Sequence, residues 1–119
     1  MRKEQRLRSG REFAAVYREG RVQSNHLLVV RVAPNGAAVS RFGFVTGKAL
    51  GGAVTRNRTK RRLREAARAL PVAPGYDVVI SARRAAAAAG FNALAASLRS
   101  LLARAGVLNT EDRQAGAPS

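Results

Sequence analysis

The residues with the most legible chemistry lie in one run, Arg56-Asn57-Arg58-Thr59-Lys60-Arg61-Arg62-Leu63-Arg64-Glu65, with Arg68 one turn further on. On a wheel of ~100° per residue, Leu63, Ala66, Ala67 and Leu70 share a narrow arc that can face a sheet. Arg56, Lys60, Arg64 and Arg68 form a row at four-residue spacing beside it, and Arg58, Arg61 and Arg62 spread over the outer surface. Only Glu65 offers an internal counter-charge. Like charges four apart cost a helix ~0.2–0.5 kcal/mol per pair, and the row holds three such pairs in succession. Folding gives no reason to keep them. A phosphate backbone does, because each cation then finds an anion and displaces condensed counterions. Unpaired N–H groups near residues 53–56, after the Gly51-Gly52 loop, add donors for a phosphate oxygen. A solvated cationic face is the ordinary meaning of a charge run, but such faces mix signs and this one barely does. A nuclear-localisation tag is the other common meaning; the apolar stripe instead assigns the run to a folded helix.

Composition points the same way. Among 119 residues, 22 Lys and Arg stand against seven Asp and Glu, a net charge of +15. A compact domain repels itself at that charge, and a polyanion relieves it. Nucleic acid is the first candidate, anionic membrane the second and acidic protein the third; charge does not separate RNA from DNA. With no cysteine and a single histidine, His26, the chain has no disulfide, no thiolate nucleophile or metal site, and no two-histidine acid–base pair. No carboxylate pair stands out either. No apolar run approaches the ~20 residues of a membrane span. The charged start, MRKEQRLRSG, has no apolar stretch behind it. Together with the missing cysteine, that implies the cytoplasm.

The elements that must carry these residues follow from local signals. Ser9 with Glu12 three residues on is a capping-box pattern. Phe13, Val16 and Tyr17 continue it at helical spacing, and Gly20 stops it. Residues 27–32 read as a β-branched strand and Pro34-Asn35-Gly36 as a turn. Residues 37–41 are ambiguous and could begin a second strand; 42–46 read as a third strand or as its continuation. Phe42, Phe44 and Thr46 share one face there. A glycine-rich loop over 47–52 leads into the basic helix, 55–70, which ends at Pro71. Residues 76–81 form a short strand. Phe91, Leu94, Leu98, Leu101, Leu102 and Ala105 make the apolar stripe of a last helix, 91–105, which Gly106 stops. Residues 85–89 read as a linker or an alanine-rich helix start. Residues 1–109 form one domain, and 110–119 read as a disordered tail. The order suits one antiparallel or mixed sheet with helices mainly on one face.

Residues 47–65, Gly-Lys-Ala-Leu-Gly-Gly-Ala-Val-Thr-Arg-Asn-Arg-Thr-Lys-Arg-Arg-Leu-Arg-Glu, resemble the signature of the protein subunit of bacterial ribonuclease P. Arg56-Asn57-Arg58, Lys60-Arg61 and Arg64 match its Arg-Asn-Arg motif and the basic residues after it. The resemblance extends over residues 2 to 104, through Leu7-Arg8, the Glu12-Phe13…Val16-Tyr17…Gly20 helix and Asp77-Val78-Val79-Ile80-Ser81-Ala82-Arg83. It implies an α+β fold, an α-β-β-β-α-β-α two-layer sandwich with a left-handed βαβ crossover, similar to domain IV of elongation factor G. The implied partners are a large catalytic RNA and precursor tRNA, with no membrane and no obligate protein partner. That RNA, with bound magnesium, removes the 5′ leader, and the protein contributes binding rather than catalytic groups.

By the same resemblance, the helix bearing Arg56, Asn57, Arg58, Lys60, Arg61, Arg62, Arg64 and Arg68 contacts the catalytic RNA. A cleft between the first helix and the sheet holds the leader, with Phe13 and Tyr17 at its aromatic positions and Lys48 supplying charge. Read from their spacing alone, Phe13 and Tyr17 are equally a core pair; Tyr17, whose hydroxyl needs a partner, is the better surface residue. Three positions depart from the family pattern: Ala49 replaces the second of two lysines, Gly52 stands where asparagine is frequent, and the aromatic of the first strand is aliphatic near Val30. The competing readings are another RNA binder of ribosomal type, a free-standing nuclease, which lacks catalytic residues here, and a membrane-binding peptide, whose stripes would have to be exposed.

Overall fold

A computed structural model describes residues 2–109; the tail expected over 110–119 lies outside them. The elements are α1 (Gly10–Glu19), β1 (Arg21–Ser24), β2 (Leu28–Pro34), β3 (Arg41–Val45), α2 (Ala53–Ala69), β4 (Tyr76–Ala82) and α3 (Phe91–Arg104). One four-stranded sheet runs in the order β1-β2-β4-β3. Its first two pairings are antiparallel, and β3 lies parallel to β4 with α2 as the crossover. The α+β class and the α-β-β-β-α-β-α order expected from the sequence are both present.

Strand alternation divides the core. Leu28, Val30 and Val32 of β2 and Val78 and Ile80 of β4 point to one face, where they meet Leu63, Ala66 and Ala67 of α2 and Leu94, Leu98, Leu101 and Leu102 of α3. Val79 points to the other face and packs with Leu7, Val16 and Phe13 beneath α1. Full burial of a leucine contributes roughly 1.5–3 kcal/mol. Leu63 alone therefore offsets the like-charge repulsion along the row of Arg56, Lys60, Arg64 and Arg68, at ~0.2–0.5 kcal/mol for each of its three successive pairs.

Local chemistry sets the ends of the elements. Ser9 Oγ accepts the Glu12 N–H at 3.2 Å while the Glu12 carboxylate accepts the Ser9 N–H at 3.1 Å, so the expected capping box is formed. Asn25 Oδ1 accepts the N–H groups of Leu27 and Leu28, and its Nδ2 donates to Ser97 Oγ at 2.7 Å, which pins the β1–β2 turn to α3. His26 is exposed in that turn. Gly51 has φ 122° and ψ −152°, a backbone conformation suited to glycine, just before α2 begins.

Three expectations need correction. Residues 37–40 form no strand; they turn, with Asn35 holding the turn through Ala37 N–H and Val39 C=O. The missing strand is β1, a short and mostly exposed edge that pairs with β2 and carries no apolar run. Residues 85–89 are not a plain linker: Arg84–Ala88 forms a 3-10 turn that buries Ala86 against the core.

Gly43 is where α1 meets the sheet most closely. A Cβ there would lie 2.4 Å from Phe13 Cζ, 2.5 Å from Cε1 and 3.2 Å from Leu7 Cδ1. Gly43→Ala is therefore expected to push the Phe13 ring off β3 and to cost ~1–3 kcal/mol in urea denaturation. Gly47→Ala, which meets nothing within 4 Å, is the control and should stay within ~0.5 kcal/mol of the parent chain.

Candidate nucleic-acid interface

Helix α2 turns its cations in three directions. Asn57, Arg61 and Arg68 are exposed on the outer face, where Arg68 pairs with Glu65 at 2.7 Å. Lys60 and Arg64 lie on the flank toward β3, and the Arg64 guanidinium stands 5.9 Å from the Phe44 ring centroid. Arg58 and Arg62 are half-buried on the opposite flank rather than spread over the outer surface. Arg62 Nη1 donates to the Ala89 carbonyl at 3.0 Å, closing α2 onto the segment before α3. Arg58 Nε and Thr59 Oγ1 are buried with no protein partner. Thr59 is fully buried; it falls at ~300° on the wheel, inside the apolar arc, so its place was readable from spacing. Arg56 is half-buried in the first turn, and Gly52 at the N-cap supplies no side-chain acceptor there.

The expected leader-cleft residues occupy two places. Phe13 is half-buried, with its ring against Gly43. Tyr17, one turn on, is 46% exposed. The choice between core pair and surface pair thus resolves into one of each. The Arg31 guanidinium lies 4.5 Å from the Tyr17 ring centroid, a cation–π contact on the sheet face beneath α1. Val30 is fully buried on the α2–α3 face, so the β2 position that meets α1's outer aromatic is Arg31. Sequence reasoning missed Arg31; the two-residue period separates it from Val30 but does not say which face α1 covers. Lys48 is exposed on a 3-10 turn, Lys48–Leu50, that packs toward Arg84–Ala88. Ala49 is exposed beside it.

Arg41 joins α1 to the sheet. Its Nε and Nη2 donate to the Asp77 carboxylate at 2.8 and 2.7 Å, and its Nη1 donates to Glu12 at 2.8 Å. Asn35 Nδ2 donates to Asp77 Oδ1 at 2.9 Å. Asp77 is buried, so the bidentate pair compensates a charge that would otherwise be costly inside the fold. Glu12 also accepts the Arg8 and Ser9 N–H groups. Those two backbone donors, and then Arg41, hold its carboxyl below the usual 4.5. Among the described residues no group of three or more His, Cys, Asp or Glu could hold a metal ion, and no helix is long and apolar enough to cross a membrane.

A mixed sheet carrying one cation-rich helix, with an exposed tyrosine on the opposite face, defines a small, strongly basic protein of the α+β class. The model of the ribonuclease P family matches residues 1–106. The chain is 46% identical over 115 residues to the ribonuclease P protein component of Roseiflexus sp. strain RS-1, covering 94% of each. It is 45% identical to that of Symbiobacterium thermophilum, covering 93% of this chain and 99% of the relative. In three dimensions it matches the ribonuclease P protein of Staphylococcus aureus with a TM-score of 0.80, at 29% identity over 88% of this chain and 98% of that one. The Thermotoga maritima protein matches with a TM-score of 0.76, at 32% identity over 83% and 96%. The chain belongs to the ribonuclease P protein family, as residues 47–65 implied.

The Glu12 environment makes an acid-sensitive contribution. Its folded pKa is depressed, so the stability it adds is fully present above the ordinary value of about 4.5 and is lost as pH falls through the folded value. Urea denaturation across pH should show the parent chain more stable than Glu12→Gln by a constant margin between pH 5 and pH 7. The margin should shrink below about pH 4.5. A margin unchanged in acid would mean that the carboxylate charge contributes nothing.

Proposed function

We propose that the chain is the protein component of ribonuclease P and works by binding. As part of an endoribonuclease complex it holds the catalytic RNA on α2 and the 5′ leader of precursor tRNA on the α1 side of the sheet. The observation that carries this reading is the excess of cations on α2, where Glu65 is the only carboxylate on the helix and its pairing with Arg68 leaves Arg56, Lys60 and Arg64 of the row with no carboxylate of the helix. Arg56, Asn57, Arg58 and Arg61 with their neighbours Lys60, Arg62, Arg64 and Arg68 meet RNA phosphates, and arginine's planar fork suits that task better than a point charge.

On the other side, Tyr17 presents a ring already flanked by Arg31. An unstacked leader base can lie on such a ring, with Phe13 beside it, and every base has a face to offer. Lys48 adds charge at the approach to α2. Hydrolysis belongs to magnesium ions held by the RNA in this proposal, and no side chain of the protein is assigned to metal. The two carboxylates that Arg41 brings together, Glu12 and Asp77, already spend their oxygens on Arg41, Asn35 and backbone N–H groups. A ribosomal-type RNA binder would share the basic helix but would not discriminate precursor from mature tRNA.

Equilibrium binding by the reconstituted holoenzyme tests the division of labour. Tyr17→Ala should lose ~1–3 kcal/mol with precursor tRNA and nothing with mature tRNA. Arg56→Ala with Arg61→Ala should weaken assembly with the catalytic RNA whichever tRNA is present. The log–log salt slope should fall by about 0.7–0.9 for each phosphate contact removed. Equal loss for both tRNAs with Tyr17→Ala would remove the leader assignment.

A further inference from the structure

A groove of about 240 Å³ wraps the edge of the sheet beside β3. Arg6, Phe13, Gly43, Phe44, Lys60 and Arg64 line it. Its walls come from four separate parts of the fold: the segment before α1, Phe13 of α1, β3 itself and the inner flank of α2. Three of the lining residues are cations, and none is a carboxylate. The volume falls below the ~300–1,000 Å³ of pockets that enclose a whole small molecule. It suits one flat base rather than a metabolite.

The groove also offers a ring and an open backbone edge. Phe44 is half-buried and stacks on Phe42 with centroids 6.5 Å apart and planes 15° apart, so its ring is held in place. The Arg64 guanidinium stands over that ring. The Leu7 N–H donates to the Phe42 carbonyl at 2.9 Å, and Arg6 bridges to Phe42 in parallel. Two residues on, Phe44 directs its main-chain groups the same way by the strand period. The chain does not follow it there, because the next donor in register, the Ser9 N–H, turns aside to Glu12 at 3.1 Å. The edge of β3 thus stays uncovered beside an aromatic ring and two α2 cations.

We propose that this groove takes one unpaired nucleotide of the precursor leader. Its base lies against Phe44, and its flanking phosphates lie at Arg6, Lys60 and Arg64. The inference rests on the leader reading given under Proposed function and extends it. Continuity selects the leader over a loop of the catalytic RNA: Phe13 lines the groove and stands one helical turn from Tyr17 on α1. A strand lying on Tyr17 meets Phe13 next and passes over that ring into the groove, because Phe13 and Leu7 cover Gly43 itself. This divides α2: Lys60 and Arg64, grouped above with the residues for the catalytic RNA, serve leader phosphates instead, while Arg56, Asn57 and Arg61 remain for the catalytic RNA.

The test uses holoenzyme carrying Phe44→Leu, which keeps the apolar bulk and removes the ring. Affinity for precursor tRNA should fall about 5- to 100-fold, the range of one lost base–aromatic stack. Affinity for mature tRNA should not change, and the loss should vanish once the leader is trimmed too short to reach β3. Tyr17→Ala is measured in parallel. If Tyr17→Ala discriminates precursor from mature and Phe44→Leu does not, the groove proposal fails while the leader cleft stands. If neither discriminates, both fail. Equal loss on both tRNAs with Phe44→Leu assigns the groove to the catalytic RNA or to folding, against the proposal. Unsubstituted holoenzyme gives an independent reading: 4-thiouridine placed at successive leader positions should crosslink to the peptide spanning residues 42–45 from at least one position. No crosslink from any position overturns the proposal even if the variant cannot be assembled.

Discussion

The Arg41 guanidinium is shared between Asp77, through two bonds of 2.7 and 2.8 Å, and Glu12, through one of 2.8 Å. Those residues come from β3, β4 and the first turn of α1. One side chain therefore fixes the parallel β3–β4 pair and the position of α1 above it. The placement of Phe13 on Gly43, the exposure of Tyr17 beside Arg31 and the groove at the β3 edge all follow from where α1 lies. Glu12 serves twice, as the capping residue of α1 and as the acceptor for Arg41. Helix formation and helix docking thus draw on the same carboxylate.

Charge explains why the rest of the surface is left uncompensated. The chain has seven acidic residues against 22 Lys and Arg. Two of them, Glu12 and Asp77, are drawn inward to hold the sheet and α1 together. Glu65 and Glu19 form exposed pairs with Arg68 and Arg18, and such pairs contribute ~1 kcal/mol or less. Few anions remain for the row on α2. Its repulsion is tolerated because Leu63, Ala66 and Ala67 are buried beneath it. The fold therefore places its internal anions at the joint and leaves α2 positive, as the proposed role on RNA requires.

The parts legible in the sequence are those whose signal is local. The capping box at Ser9 and Glu12, the apolar stripe of α3 and the basic row of α2 each lie within a few turns of chain, and the structure contains all three, except that Phe91 at the start of the stripe is exposed. The parts that were not legible depend on contacts between distant residues or on weak patterns. β1 is four residues long, mostly exposed and polar, so no alternation marks it. Arg41 and Asp77 are 36 residues apart, and nothing in either neighbourhood names the other. Arg58 and Arg62 read as surface cations, because a wheel has no knowledge of the 3-10 turn that packs against that flank of α2. Val30 read as the cleft position, one residue away from Arg31, because the alternation of β2 fixes faces only once its partner layers are known.

The central claim is that this protein acts by binding while RNA carries the chemistry. Reconstitution measures it most directly: the purified chain is added to ribonuclease P RNA and precursor tRNA at magnesium concentrations too low for the RNA alone. The account predicts that leader removal appears only when both chain and RNA are present. Cleavage by the chain without RNA, or no gain in cleavage when the chain is added to the RNA, would contradict it.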